Sequence, residues 1–118
     1  MRPERKNNKD YFDEMIISAK RNSLPKEFLA KKVLFDHENG IMMVVLNGGQ
    51  VVIEDFKKYK ALSEATKRDR EKYTLPGKGA AIHWETLDED LSVRKIILDF
   101  VKNYQKMVNK AVDLIPVH

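Results

Sequence analysis

The chain has no cysteine, which removes disulfides, thiolate metal sites and thiol nucleophiles together. Histidine is scarce as well. His37, His83 and His118 are too widely spaced for a paired-histidine zinc motif, and no Asp-x-Asp-x-Asp-Gly loop offers a calcium site. No metal and no cofactor is therefore expected. Long apolar runs are also missing: Ile41 to Leu46 and Val51 to Ile53 are far too short to cross a bilayer. The basic start Met1-Arg2-Pro3-Glu4-Arg5-Lys6 is not followed by an apolar signal region. These absences lead to the expectation of a cytoplasmic protein with no membrane contact. Pro76-Gly77-Lys78-Gly79 lacks the Gly-x-x-x-x-Gly-Lys-Ser/Thr order of a phosphate loop and reads as a turn.

What is present suits one globular domain. The 118 residues are 42% hydrophobic and 34% charged, enough for a sizeable core. The net charge of +4 is unevenly spread. Lys57 to Lys78 holds eight Lys or Arg against three acids, whereas Glu85, Asp88, Glu89 and Asp90 crowd four acids into six residues. A polarised surface follows, although exposed Lys and Glu commonly mark nothing more than a solvated face.

The hydrophobic periodicity predicts an α+β fold. Asp10 to Arg21 places Tyr11, Phe12, Met15, Ile16 and Ala19 on one helical stripe, and Asn22-Ser23-Leu24-Pro25 ends that helix. Lys32 to Phe35, Ile41 to Leu46 and Gln50 to Ile53 read as a three-stranded antiparallel meander, separated by His37-Glu38-Asn39-Gly40 and Asn47-Gly48-Gly49. The middle run does not alternate, which predicts a strand covered on both faces. Two short helices are expected around Phe56 to Leu62 and from Ala65 or Thr66 to Lys72. Tyr73 to Leu75 and Ala80 to Trp84 read as a short second strand pair. A long amphipathic helix runs from Ser92 to Lys110 on Val93, Ile96, Ile97, Phe100, Val101, Tyr104, Met107, Val108 and Ala111.

No reactive constellation emerges. Alternation puts His83 and Glu85 on one strand face and Trp84 on the other, so His83 reads as a half-exposed structural histidine. Asp88 and Asp90 could be a paired-carboxylate acid and base, but their place before Ser92 fits capping of the following helix better. The expectation is a protein that is not an enzyme.

Several of these residues recur together in a known pattern: Ala65-Thr66, Arg70, Tyr73, Leu75, Gly79, Ile82-His83-Trp84 and Leu87-Asp88-Glu89-Asp90-Leu91-Ser92-Val93. With the preceding strands and glycine turn, they resemble the domain of unknown function 2442, a family of small bacterial and phage proteins, over about residues 33–98. The chain departs mildly from the family pattern at Glu85, where a proline is usual, and at Arg94-Lys95-Ile96-Ile97. Residues 1–25 and 99–118 are helical extensions to that core. The resemblance implies a meander with short helices and no defined reaction. It also implies an ion pair of Arg70 with Asp88 or Asp90, given their joint appearance and the bidentate fit of guanidinium to carboxylate. Family genes that look like neighbours of small partner genes suggest a toxin and antitoxin style of association.

Two function classes remain. The first is a non-catalytic protein-interaction module, antitoxin-like or regulatory, acting as a homodimer or higher homo-oligomer with a protein partner from a neighbouring gene. Its contacts would come from Tyr11, Phe12, Met15, Ile16, Ile97, Phe100 and Tyr104. The second is a nucleic-acid binder using Arg2, Arg5, Lys6 and the segment with Lys57, Lys58, Lys60, Lys67, Arg68 and Arg70, with Tyr59 and Tyr73 interleaved.

Overall fold

In the computed structural model, residues 8–21 and 23–113 are described, with side chains for 13–21 and 23–111. The elements run α1 (Asn8–Ala19), β1 (Ala30–Asp36), β2 (Ile41–Leu46), β3 (Val51–Asp55), α2 (Lys60–Glu64), α3 (Lys67–Arg70), α4 (Pro76–Gly79), β4 (Ala81–Trp84), β5 (Glu89–Ser92) and α5 (Val93–Asp113), with 3-10 turns at Lys26–Phe28 and Phe56–Lys58. This is the expected α+β arrangement. A three-stranded sheet in the order β1-β2-β3 accompanies a two-stranded sheet, β4-β5.

Local chemistry accounts for the meander. At the first turn, Asp36 accepts from the backbone N–H of Asn39 at 3.2 Å and from its side-chain amide at 2.8 Å, and Gly40 takes φ +72°. Gly49, at φ +92°, plays the same part in the second. The register aligns Val33 with Val44 and Val52, and Leu34 with Met43 and Ile53. The first row is buried. The second faces the other way.

That outer face corrects the reading of Ile41 to Leu46. Burial alternates strictly along β2, with Met42, Val44 and Leu46 inside and Ile41, Met43 and Val45 only half-buried. The strand is not covered twice, because α1 and α5 both pack on the inner side, where Met15, Ala19, Val93, Ile96, Ile97 and Val101 join the core. The two helices lie side by side: Arg94 donates to the Ala19 carbonyl at 2.7 Å, and Ile16 and Lys20 lie beside Leu98 and Val101.

The second strand pair also differs from the expected one. Tyr73 to Leu75 contributes a single bridge, Thr74 to His83, while the true partner of β4 is β5, with His83 opposite Asp90 and Ile82 opposite Leu91. Asp88, at φ +50°, makes the turn between them, and Asp90 lies within the strand. Neither caps a helix. That role belongs to Ser92, whose hydroxyl accepts from the Lys95 N–H at 3.2 Å.

The edge of β1 that faces away from β2 is closed by the segment leading to β4. The Tyr73 hydroxyl accepts from Val33 N–H at 2.8 Å and donates to Val33 C=O at 3.1 Å. Gly79, buried at φ +99°, lies against the backbone of Ala30.

Candidate protein-docking groove

Arg70 is the first of the sequence-derived site residues to be placed, and it is not where the family pattern suggested. Its Nε donates to the Leu62 carbonyl and its Nη2 to the Ala65 carbonyl, both at 2.8 Å, and its Nη1 donates to His37 Nδ1 at 2.9 Å. The guanidinium lies over the Phe56 ring at 4.5 Å. The pairing with Asp88 or Asp90 is therefore corrected. The physical reason is that at the end of the short helix α2 the Leu62 carbonyl has only a long bond from the Ala65 N–H and the Ala65 carbonyl lies past the helix, and Arg70, eight and five residues on, supplies fixed donors to both. Because guanidinium can only donate, Nδ1 of His37 must accept, so Nε2 carries the proton and donates to Glu71 at 3.2 Å. Trp84 completes the cluster by donating its indole N–H to the Arg70 carbonyl at 2.7 Å. Replacing Arg70 with alanine is expected to cost about 2 kcal/mol through the stranded Ala65 carbonyl and the lost bonds to Leu62 and His37, with lysine a poor substitute. Chemical denaturation checks this; an Arg70→Lys protein as stable as wild type would contradict it.

Asp90 instead meets His83, whose Nδ1 lies 2.6 Å from Asp90 Oδ1 across the β4–β5 pair. The carboxylate accepts, so Nδ1 is the protonated nitrogen. This half-exposed cross-strand pair was missed in the sequence because β5 itself was missed.

The interaction residues divide. The side chains of Tyr11 and Phe12 lie outside the described residues. Met15 and Ile97 are core, Ile16 and Phe100 are half-buried, and Tyr104 is exposed. Of the basic set, Arg2, Arg5 and Lys6 lie outside the described residues and Lys58 and Arg70 are engaged within the chain, which leaves Lys57, Lys60, Lys67 and Arg68 at the surface. Among the described residues, no three His, Asp or Glu side chains converge as a metal would require.

The arrangement with most to offer a partner lies where β3 meets the outer half of α5. A groove of about 600 Å³ runs there, lined by Ile53, Glu54, Asp55, Lys58, Phe100, Asn103, Tyr104 and Met107. Beside it lie exposed apolar side chains: Met107 at 69%, Ile53 at 50%, Val51 at 45%, Leu34 at 42% and Val108 at 41%. Alternation along β3 creates the sheet part of this surface. Val52 and Glu54 turn inward, leaving Val51 and Ile53 outside. The sequence hid this alternation, because Val51, Val52 and Ile53 are all apolar and the charged Glu54 is the residue that turns inward.

At one end of the groove, buried Glu54 accepts from Lys58 Nζ at 2.7 Å and from the Tyr59 hydroxyl at 3.1 Å. Lys58 also reaches Asp99 on α5 at 3.3 Å. These contacts tie α5 to β3 and hold the groove's two walls in register. Burial pushes the Tyr59 phenol up to about 12, reinforced by the charge of Glu54. For Lys58, burial favours the neutral amine, but the hydrogen bond and charge of Glu54, with help from Tyr59 and Asp99, outweigh it and hold the ammonium above its ordinary value. Both folded-state values are raised. The associated stability is therefore complete below about pH 10 and is lost as pH rises through the folded-state values. The thermal midpoint is expected to fall between pH 10 and pH 12, with Tyr59→Phe removing part of the fall. A wild-type profile flat across that interval would contradict the assignment.

The class is now defined: a small α+β domain whose meander and hairpin share a helix-covered core, with one apolar sheet face open. Residues 30–100 match the family described as "Protein of unknown function (DUF2442)". The chain belongs to that family. It is similar to the crystal structure of a protein of unknown function from Rhodospirillum rubrum, with 26% identity and a TM-score of 0.54 over 62% of this chain and 88% of the other. It also resembles in fold the solution NMR structure of an uncharacterised protein from Chromobacterium violaceum, with 17% identity and a TM-score of 0.53 over 83% of this chain and 85% of the other. That larger share exceeds what residues 30–100 could supply, so part of the helical extensions is common to the fold. No curated protein matches the chain. No helix among the described residues is long and apolar enough to cross a membrane.

Proposed function

We propose that this chain is a non-catalytic protein-docking module that works through the groove between β3 and α5 and the adjoining open face of the sheet. The observation that carries the reading is the groove lined by the exposed Ile53 and Met107, with Leu34 in the same outward row of the sheet as Ile53 and with Val51 and Val108 on the same two elements. The titratable clusters are engaged in holding the fold: Arg70 with His37 and two carbonyls, Glu54 with Lys58 and Tyr59. A regulatory, antitoxin-like setting rests on the family resemblance alone. The nucleic-acid alternative is weakened by the internal use of Lys58 and Arg70. On the segment itself four cations remain, Lys57, Lys60, Lys67 and Arg68, interleaved with Glu64, Asp69 and Glu71, and these would make a few phosphate contacts that fail steeply as salt rises.

A photo-crosslinking side chain placed at Val51, and separately at Lys60 on the basic segment, tests the choice in cells and in buffer at about 200 mM salt, where contacts of that kind are already weak. Polypeptide adducts at Val51 with none at Lys60 are expected. Nucleic-acid adducts at Lys60 that persist at that salt, with Val51 silent, would overturn the reading.

A further inference from the structure

We infer that the occupant of the groove is the outer half of α5 from a second copy of this chain, in a two-fold pair; this rests on the docking reading above. The two surfaces complement one another in charge. From Lys102 to Ala111 the helix carries Lys102, Lys106 and Lys110 and no acid, whereas at the groove Asp55 is exposed and Lys58, shared between buried Glu54 and half-buried Asp99, leaves that pair of carboxylates only partly neutralised. Each copy thus owns one basic arm and one acidic groove, the self-complementary pattern a two-fold interface needs. Antiparallel crossing of the two α5 helices about Tyr104 and Gln105 brings Lys110 of one copy level with Asp99 of the other.

Shape and area agree with charge. Every side chain from Lys102 to Ala111 is exposed, so this part of α5 stands clear of the core as a ridge, and the groove runs along its flank. Met107 and Val108 supply the apolar contacts of the ridge, and Ile53 and Val51 supply those of the opposing wall. Together with Leu34 and their half-buried neighbours they offer on the order of 500 Å² of apolar surface, at the upper end for a patch on a monomer. With the polar rim of Lys102, Asn103 and Lys106, this approaches the roughly 800 Å² per partner of a standard interface.

The absence of native cysteine makes the test direct. Ile53→Cys and Met107→Cys are made separately, both at exposed positions, mixed, and oxidised. The mixed disulfide is expected to dominate over either homodisulfide, and the wild-type chain is expected to sediment as a dimer at tens of micromolar. Met107→Glu should raise the dimer dissociation constant about tenfold or more while leaving far-UV circular dichroism unchanged. A monomeric wild-type chain at that concentration overturns the second copy as occupant, as does a dimer that gives no mixed disulfide and ignores Met107→Glu. If polypeptide adducts at Val51 persist in a monomer, only this inference falls. If they vanish as well, the docking reading falls with it.

Discussion

Replacing Trp84 with alanine is expected to lower stability by about 4 kcal/mol, the upper range for deleting a buried aromatic. Trp84 is fully buried in the core that the hairpin shares with the meander and with α5, a core that also takes in Ile82, Leu91 and Val93. Its loss would leave a cavity bounded by a short two-stranded sheet that depends on this packing. The indole N–H adds a second contribution through the Arg70 carbonyl. Trp84→Phe separates the two: it keeps most of the apolar contact but leaves that carbonyl without its donor, an expected loss of about 2 kcal/mol. Urea denaturation followed by far-UV circular dichroism is the suitable readout, because Trp84 is the sole tryptophan and either variant abolishes its fluorescence. A Trp84→Phe protein with an unchanged midpoint would remove the hydrogen bond from the account.

Gly79→Ala is expected to cost about 3 kcal/mol, most of it from the one carbon that alanine adds. A Cβ at this position would collide with the Ala30 carbonyl oxygen and lie 2.7 Å from the Ala30 nitrogen, both backbone atoms of a paired strand. The φ of +99° is itself strained for any side chain. Relief requires β1 to move away from α4, which pulls against the Tyr73 bonds to Val33. Gly49→Ala is the control: it also has positive φ, but a Cβ there meets nothing within 4 Å. It should cost about 1 kcal/mol, from backbone strain alone. Equal losses at the two positions would show that conformation matters and close approach does not.

The meander was legible because its turns carry Asn and Gly and its strands are β-branched, signals that local sequence conveys directly. β5 was not legible. Glu89-Asp90-Leu91-Ser92 has poor strand propensity, and it becomes a strand only because Leu91 has a buried site to fill and Asp88 tolerates the left-handed turn that sets the register. The partners of Arg70 were hidden for a related reason. Joint occurrence of Arg70 with Asp88 and Asp90 in a pattern says nothing about the carbonyls left at the end of α2, since every residue has one. The groove was half legible. Periodicity marked the whole stripe from Val93 to Ala111 but could not tell where the body of the protein ends, so buried Ile97 and exposed Met107 looked alike. Only the sheet's position separates them.

The Tyr73 hydroxyl gives the molecule a handedness of growth. By occupying both backbone groups of Val33, it stops β1 from accepting another strand, while β3 at the opposite side has no strand beyond it among the described residues. With the β1 side closed, an added strand has only β3 to pair with, on the side where the groove and α5 already lie. Tyr73→Phe would free the backbone groups of Val33 in the middle of β1, while Gly79 would still cover Ala30 at its start, so the edge would open only in part.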